Sequence, residues 1–451
     1  MKSILHRARW LLFLGCIVPL GVNAQEPLTL RQAIQMALKQ SPDVDEARAG
    51  TQQAKAGVDM ARTQLLPQIN FTEEMTRGND PVYAFGTRLR QRRFTQADFA
   101  IDALNTPAPI GNFSTRLSGQ WLAFDSFRTQ KSIKSAHLME KSAVLSARAV
   151  DQKVIFGVVQ AYQSVLYAER QVDIAQHELE TAEALLASVE DHVKAGLAVE
   201  SDRMSALVNV AARKQTLITA QGNRDLAWAQ LRLAVGAPDL QQTKLQPIEL
   251  HQFPAGEFEQ ELQTAMKSRQ DLAAIGEAQS SQVAAESAAR MSYGPRISAY
   301  GNWEDDRQNF GSSGGNNWVV GAQVNLDILP FGKHAQIAGA KAARAKTDAQ
   351  LASYRQQVRL QVNQAHIQRQ TAQLSLETAR AAIDQATESL RILKNRYSAG
   401  LATITDLLRA EDAERQSQVN YWHAVYGNTL SYAQLLFATG TLTPEAAEDL
   451  Q

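Results

Sequence analysis

The sequence Ala195-Gly196-Leu197-Ala198 recurs 204 residues later as Ala399-Gly400-Leu401-Ala402, and this repeated turn indicates how the chain is organised. The N-terminal parts of the two copies align at an offset of 228 instead. Several pairs matched at these offsets share their residue type: Asp202 and Asp406, Gly236 and Gly440, and Pro67 and Pro295. Because the register has no gaps within either part, we interpret the chain as two tandem copies of one unit.

The change of offset from 228 to 204 means that the first copy has 24 additional residues ahead of its long helices. They fall within residues 76–112, a stretch rich in Gly, Asn, Asp, Pro and Arg, which predicts a long loop. This loop contains a basic cluster, residues 88–93. Two roles are open for the cluster: binding the phosphates of lipopolysaccharide, or keeping the loop soluble.

Each copy is predicted to begin with short helices, the first of them opened by a capping box of Thr29 and Gln32. Two segments of alternating apolar and polar residues follow, which predicts β-strands with one face of each kind. These segments begin near Leu65, Leu117, Ile297 and Trp318. Their length matches tilted transmembrane strands, although an ordinary half-exposed antiparallel sheet gives the same pattern.

Two long stretches without proline, residues 110–237 and 331–443, are dominated by strong helix formers. Each is interrupted once, at its Ala-Gly-Leu-Ala sequence, where Gly can end a helix in the left-handed conformation. Each stretch is therefore predicted to be a helical hairpin, with a first arm of about sixty residues and roughly 90 Å. Helices of that length must pack side by side as coiled coils.

The N-terminus has Lys2, Arg7 and Arg9 before an apolar run and a small-residue pattern ending at Ala24, which predicts a signal peptide and export. Cys16 allows lipidation as an alternative, but the residues before it fit a lipobox poorly. It is the only cysteine, so the predicted mature chain has neither disulfides nor cysteine–zinc sites. The zero net charge disfavours nucleic acid as the main partner.

No catalytic or metal motif stands out, because the eight His are dispersed and neither H-E-x-x-H nor G-x-S-x-G occurs. We therefore predict that the protein is not an enzyme and has no cofactor and no metal. Beyond the predicted signal peptide, no apolar run is long enough for a transmembrane helix. A membrane location would then require strands, and four strands per chain demand oligomerisation, since open sheet edges are forbidden in lipid.

The predicted organisation has five parts. They are a signal peptide (1–24), a first repeat (25–240) with a long loop (76–112) and a helical hairpin (128–236), a linker (241–256), a second repeat (257–443) with a β-hairpin (295–328) and a helical hairpin (333–440), and a C-terminal tail (444–451).

These features together resemble the TolC-type outer-membrane factor family. The resemblance covers residues 25–440 and rests most on 195–202 and 397–408, where each Gly-Leu turn is followed by Asp. It implies a mixed α/β membrane protein, a homotrimer with a 12-stranded transmembrane β-barrel (four strands per chain) in the outer membrane of a Gram-negative bacterium. A long periplasmic α-helical coiled-coil barrel would continue it. The implied function is the exit duct of a tripartite efflux or type I secretion system, with a periplasmic adaptor and an inner-membrane pump or ABC transporter as partners.

The resemblance also implies site residues. The tips that would receive the adaptor are Gly196, Leu197, Gly400 and Leu401. Asp406 matches the pore-constricting aspartate, whose three copies would form a carboxylate ring and raise one another's pKa. Tyr397 and Asp202 match residues that lock helix pairs in the closed state. Arg409 replaces a second aspartate and Ala402 replaces a locking arginine, which implies a gate that opens more easily, and Arg409 could pair with Asp406 at i, i+3.

A soluble periplasmic or surface coiled-coil scaffold is the alternative interpretation. The positions of Trp121, Trp303 and Trp318 distinguish the two, because interfacial belts of aromatic residues are expected only where lipid surrounds the strands. The transported substrate and the class of pump stay open, because drugs, metal ions, peptides and secreted proteins all use this family.

Overall fold

The structure, a computed structural model, describes residues 27–247, 256–328, 330–448 and 450. The predicted signal peptide and residues 248–255 of the predicted linker lie outside the described residues. In these ranges the elements follow in the order α1 (Leu30–Gln40), α2 (Pro42–Thr63), β1 (Gln68–Gly78), α3 (Pro81–Arg90), a 3-10 helix (Gln96–Phe99), α4 (Ile101–Asn105), β2 (Ile110–Phe124), α5 (Arg128–Lys194), α6 (Glu200–Val235), α7 (Phe258–Ser268), α8 (Gln270–Met291), β3 (Arg296–Arg307), β4 (Gly315–Asn325), α9 (Phe331–Ser398), α10 (Ile404–Thr439) and α11 (Pro444–Glu448).

Helices at corresponding positions of the two halves have matching lengths. There are 11 residues each in α1 and α7, 22 each in α2 and α8, and 36 each in α6 and α10. The arms that precede the turns, α5 and α9, have 67 and 68 residues, or about 100 Å of helix. The capping box predicted for α1 is confirmed, because Thr29 and Gln32 each accept the backbone N–H of the other. None of the described helices is both long and apolar enough to cross a lipid bilayer.

The long helices lie side by side in a layer that is four helices wide at each level. Near the sheet, α5 packs against α2 and α8, and α8 packs against α9. Farther from the sheet, α5 packs against α6 and α10, and α10 packs against α9. Small residues permit close approach, since the Ser142 hydroxyl donates to the Ala274 carbonyl at 2.8 Å. The layer therefore has two outer edges, formed by α2 and α6 on one side and by α9 on the other.

The largest buried cluster lies where the two levels of the layer meet. It contains Tyr162, Trp228 and Leu231 from the first hairpin together with Leu30 and Ile34 of α1, all of them buried. Burying an apolar side chain of this size contributes about 1.5–3 kcal/mol. The cluster thus fixes the lateral order of the helices at this level.

Two segments predicted as a linker and a tail contribute to this core. Leu245, in the predicted linker, is buried, and its backbone forms a parallel β-bridge with that of Leu28. Ala447 and Leu450, in the predicted tail, are fully buried in the same cluster. The predicted tail thus packs against α1 and α5, and burial of its apolar residues holds it to the core.

The four strands form one antiparallel sheet in the order β1-β2-β3-β4. Within the chain, β1 and β4 are the edge strands, and each has one hydrogen-bonded neighbour. The first strand begins at Gln68 rather than near Leu65, where the alternation predicted it, because Pro67 has no N–H to donate to the ladder. The backbone of Leu65 instead closes a turn on Arg62 at the end of α2.

One face of the sheet is apolar and the other is polar, as the alternation predicts. The register places a set of exposed side chains together on the apolar face: Ile69, Phe71, Leu117, Trp121, Ile297, Trp303, Trp318, Val320 and Val324. On the polar face, Arg116 Nη2 lies 2.8 Å from Glu304 Oε1, and the Asn112 amide donates to Asp306 Oδ1 at 2.6 Å. The described residues leave this apolar surface uncovered, and a surface of this extent marks an interaction site.

The segment predicted as a long loop, residues 76–112, is an ordered insertion between β1 and β2. The strands extend into both of its ends, and residues 79–109 between them contain α3, the 3-10 helix and α4. Asp80 caps α3 by accepting the N–H of Tyr83, and Pro81 occupies the first turn. The prediction is wrong because turn-forming residues can also start helices, as Asp80 and Pro81 do here. The equivalent connection between β3 and β4, residues 308–314, is short.

Candidate functional site

The two turns that join the long helices have the same geometry. Gly196 and Gly400 have φ of 72° and 71°, the left-handed region that side chains disfavour. The N–H groups of Leu197 and Leu401 donate to carbonyls five residues earlier, each at 2.8 Å, which is a Schellman-type helix end. Nothing lies within 4 Å of a Cβ built on either glycine. The glycines are therefore required only for the turn, and they leave the leucine side chains 77% and 69% exposed.

The Asp406 side chain is held at the start of α10. Its Oδ2 accepts from the Thr403 hydroxyl at 2.7 Å and from the Thr403 N–H at 3.1 Å. These two bonds lower the pKa of Asp406, and the charges of Arg409 and Arg396 lower it further. The suggested i, i+3 ion pair with Arg409 is not formed in the described chain, since Thr403 already engages the carboxylate. Asp406 and Arg409 line, with Leu401, a crevice between α9 and α10 at the second tip.

Tyr397 and Asp202 belong to different hairpins, and the structure brings them near each other. Tyr397 packs against a small buried cluster formed by Val189 of α5, Ala206 of α6 and Ile404 of α10. Burial raises the pKa of Tyr397, and the negative charge of Asp202 raises it further. This part of the predicted gate is thus a contact between the two hairpins of one chain, separate from the crevice that Asp406 lines.

A second contact between the hairpins, which we did not predict, is formed by the charged residues Glu178, Arg213, Asp412 and Arg415, hereafter the charge cluster. Arg213 is buried on α6 and its Nη2 lies 2.6 Å from Asp412 Oδ1. The carboxylate oxygens of Glu178 lie 3.7 Å from Arg213 and 3.9 Å from Arg415, and they accept no hydrogen bond from the described residues. Burial raises the pKa of Glu178 to about 7, although both arginines act to lower it.

The outer edges of the helix layer each expose a regular apolar stripe. On α6, a set of exposed residues recurs every three or four positions: Met204, Val208, Ala211, Gln215, Ile218, Gly222, Leu226, Ala229 and Leu233. This spacing is typical of a coiled-coil seam. On α9, Leu360, Ile367 and Leu374 are exposed at intervals of seven, and an open groove between α9 and α10 runs beside them. Neither stripe is covered by any residue that the structure describes.

The described ranges contain no group of three or more His, Cys, Asp or Glu side chains placed to hold a metal ion. The described residues offer instead a set of exposed surface features. They are the exposed apolar face of the sheet, its two edge strands, the two striped helix edges and the exposed leucines at the tips.

Comparison with known proteins identifies the family. A model of the outer membrane efflux protein family matches residues 33–237 and 262–441. Protein CyaE of Bordetella pertussis is 25% identical over 435 residues, covering 94% of this chain and 86% of that protein. Alkaline protease secretion protein AprF of Pseudomonas aeruginosa is 21% identical over 429 residues, covering 92% and 85%. The crystal structure of the Campylobacter jejuni CmeC outer membrane channel matches with a TM-score of 0.79 at 18% identity, covering 93% of this chain and 88% of that chain. The chain belongs to the outer membrane efflux protein family.

Proposed function

We propose that this protein is the outer-membrane exit duct of a tripartite efflux or type I secretion system in a Gram-negative bacterium. Three copies close their sheets into a twelve-stranded transmembrane barrel and their helix layers into a tunnel across the periplasm. Tandem duplication accounts for the equal lengths of the paired helices, such as α6 and α10. The observation that carries the proposal is that the sheet and the helix layer are both open at two edges while their apolar surfaces are exposed.

The sheet supports this assembly through its edges and its faces. Lipid does not tolerate unpaired backbone groups, so β1 of one copy pairs with β4 of the next until the sheet closes. The apolar face then contacts lipid, and the polar face with Arg116 and Glu304 lines the channel. Trp303 and Trp318 stand opposite each other on the lipid side, next to a level that contains Asp305 and Asn316, which suits an interfacial aromatic belt.

The helix layer closes in the same direction. Its α6 edge and its α9 edge face opposite sides, so the stripe containing Val208 and Ile218 meets the stripe containing Ile367 and Leu374 of the next copy. The groove between α9 and α10 has small residues such as Gly427 along its wall, which lets a neighbouring helix approach closely. A ring of three such layers encloses a tunnel about as long as α5, about 100 Å.

The tips serve as the docking site for a periplasmic adaptor, which connects the duct to an inner-membrane pump or ABC transporter. Leu197 and Leu401 carry this part of the proposal because they are exposed apolar side chains on turns of equal geometry. Exposed leucines on a turn at the end of a helical hairpin suit burial against a partner. The name of AprF associates that relative with secretion of a protease, so the cargo of this duct is proposed at the level of efflux or secretion only.

Gating takes place at the same end. Three Asp406 carboxylates around the axis repel one another, which opposes the lowering of their pKa by Thr403. The neighbouring Arg409 offsets part of the negative charge, so this ring is a weak cation filter. Movement of the second hairpin away from the first, at the contact of Tyr397 with the cluster near Asp202, opens the passage.

Assembly is tested by fractionation and crosslinking of the full chain. We expect heat-modifiable, SDS-resistant trimers in the outer-membrane fraction. A flexible bis-maleimide should join copies that carry both Ile218→Cys and Leu374→Cys into covalent trimers, whereas Ile218→Cys alone should not give trimers. The unaltered chain, in which Cys16 is the only cysteine, controls for background. Recovery in the soluble periplasmic fraction would contradict the duct and favour the coiled-coil scaffold.

Docking is tested at the tips. Leu197→Asp and Leu401→Asp should each weaken co-purification with the adaptor encoded nearest to the gene and lower export, while the trimer is retained. Val144→Asp is the matched control, because Val144 is 38% exposed on α5, a helix inside the layer rather than at its edge, and lies far along the chain from either tip. Equal adaptor binding by the tip variants and the control would refute the docking role while leaving the trimeric duct in place.

A further inference from the structure

The ordered insertion between β1 and β2, residues 79–109, lies on the polar face of the sheet. Its helix α3 buries Ala84, Thr87 and Gln91, which share one side of the helix. The Tyr83 hydroxyl lies 2.7 Å from that of Thr76, a residue of the polar face. This contact occurs at the end of the sheet opposite to the long helices. The insertion therefore covers the inner wall of the proposed barrel at its outer mouth.

Gln91 and the basic cluster fix the insertion in this position. The Gln91 amide donates to the Gly111 carbonyl and to Asn112 Oδ1, each at 2.9 Å. All four arginines of the cluster interact within the same chain: Arg88 pairs with Asp98, Arg90 lies 3.9 Å from Glu304, Arg92 donates to the Asn316 carbonyl at 2.9 Å, and Arg93 donates to Gln308. These contacts give the cluster a structural role in addition to the two that the sequence leaves open, polyanion binding and solubility.

The side of α3 that faces away from the sheet is apolar and uncovered. Val82 and Leu89 are two helical turns apart, on the side opposite to Ala84 and Gln91, and Val82 is 81% exposed. Phe99 and Ile101 are also exposed, at the adjoining 3-10 helix and α4. Exposed apolar residues gathered on one surface mark an interaction site. We call these four residues the apolar patch of the insertion.

The dimensions of the barrel decide what covers this patch. Twelve strands spaced about 4.8 Å apart and tilted by about 40° enclose a barrel of radius about 12 Å. A helix with its side chains is about 10 Å across, so an insertion lying on the inner wall reaches close to the barrel axis. Three such insertions, one on each third of the wall, cannot avoid one another.

We propose that the three insertions of the trimer dock against one another through their apolar patches and seal the outer mouth of the duct. The inference rests on the proposed trimer with its polar face inward. The occupant of each patch is the same patch of the other two copies, because the patch points into the barrel, away from the lipid side that carries Trp318 and Val320. The seal is separate from the gate at the tips, and opening it requires the insertion to shift.

Labelling of intact cells tests the seal without depending on the periplasmic gate. Gln120 lies on the polar face below the insertion, so Gln120→Cys should react slowly with a bulky, membrane-impermeant maleimide added from outside. Replacing residues 79–109 with Asn-Gly should accelerate this reaction several-fold. The replacement is compatible with the sheet, because Gly78 and Ile110 are paired neighbours that a two-residue turn can join. Ser313→Cys, in the outer connection of β3 and β4, is the control that should react equally with and without the insertion.

Crosslinking provides the second measurement. Val82→Cys should give covalent dimers under mild oxidation, because the single thiol of each copy can form one disulfide, whereas Val320→Cys on the lipid side should give none. If Gln120→Cys reacts equally fast with and without the insertion, the seal is overturned and the duct is not. If Ser313→Cys is unreactive in intact cells, the proposed location in the outer membrane is itself wrong.

Discussion

Replacing Glu178 by Gln is expected to remove most of the pH dependence of the contact between the two hairpins. Burial raises the pKa of Glu178 from 4.5 to about 7, and each pKa unit corresponds to about 1.4 kcal/mol, so the total is about 3 kcal/mol. The side chain is only 17% exposed, which limits solvent screening. The folded chain keeps this proton up to about pH 7, whereas the unfolded chain loses it near 4.5. The contribution of Glu178 to stability is therefore fully present below pH 4.5 and is lost as the pH rises to about 7.

The surrounding charges determine how much of this effect remains in the variant. Arg213 of α6 and Arg415 of α10 face Glu178 and favour its charged form, while Asp412 and Glu414 of α10 oppose it. Burial also raises the pKa of Glu411 on α10, so a smaller dependence of the same sign persists after the substitution. Gln retains the shape of the protonated carboxyl group, and Arg213 keeps its contact with Asp412.

Thermal unfolding followed by far-ultraviolet circular dichroism at pH 5 and pH 8 measures the effect. The wild-type chain should melt at a lower temperature at pH 8 than at pH 5, and Glu178→Gln should recover most of that difference, up to about 3 kcal/mol in the free energy of unfolding. Glu180→Gln is the matched control, because Glu180 lies on the same helix but is exposed to solvent. If both variants keep the wild-type dependence on pH, the argument from burial of Glu178 is wrong.

Three further predictions concern single positions. Gly440→Ala should lower the free energy of unfolding by about 2–5 kcal/mol in thermal unfolding, because φ is 74° and the new Cβ would lie 2.9 Å from backbone atoms of Arg269. Gly400→Ala has open space around the new Cβ and should lower the free energy of unfolding by only about 1–2 kcal/mol. Equal losses in the two variants would contradict this reasoning. Arg213→Met should lower the free energy of unfolding by about 2–3 kcal/mol in the same assay. The loss is smaller than for breaking a fully buried ion pair, because the partner carboxylate of Asp412 is 56% exposed. An unchanged free energy of unfolding would refute a stabilising role of the charge cluster. Asp406→Asn keeps an acceptor for the capping box and should modestly lower cation selectivity in single-channel recordings. No change in selectivity would contradict a role of Asp406 in the pore. Loss of a strong cation selectivity would contradict the proposal that Arg409 weakens the carboxylate ring.

Features that depend on near neighbours in the chain were predictable from sequence. The capping box of Thr29 and Gln32 forms between residues three positions apart, and the turns at Gly196 and Gly400 need only a glycine after a helix. The two faces of the sheet follow from alternation along each strand, whatever the strands pair with. At the site, the family resemblance singles out Tyr397 and Asp202, which lie near each other within the chain, and their locking role stays a prediction.

Features that depend on distant residues were missed. The charge cluster joins three helices through Glu178, Arg213 and Asp412, and no sequence spacing relates these residues. Within the cluster, only the i, i+3 pair of Asp412 and Arg415 is visible in the sequence. The composition of the insertion predicts a loop, because turn-forming residues dominate it. Its order depends on Gln91, which reaches the carbonyl of Arg307 more than two hundred positions away.

The strand order β1-β2-β3-β4 has a genetic consequence under the proposed assembly. The two edges of each copy are different surfaces, so the contacts are heterologous, and a copy damaged at β4 or α9 still offers an intact β1 and α6. Such a copy can join a growing ring but cannot complete it. Lesions on either edge should therefore be dominant when co-expressed with the wild-type protein, whereas lesions at the exposed tips should only dilute the number of docking points.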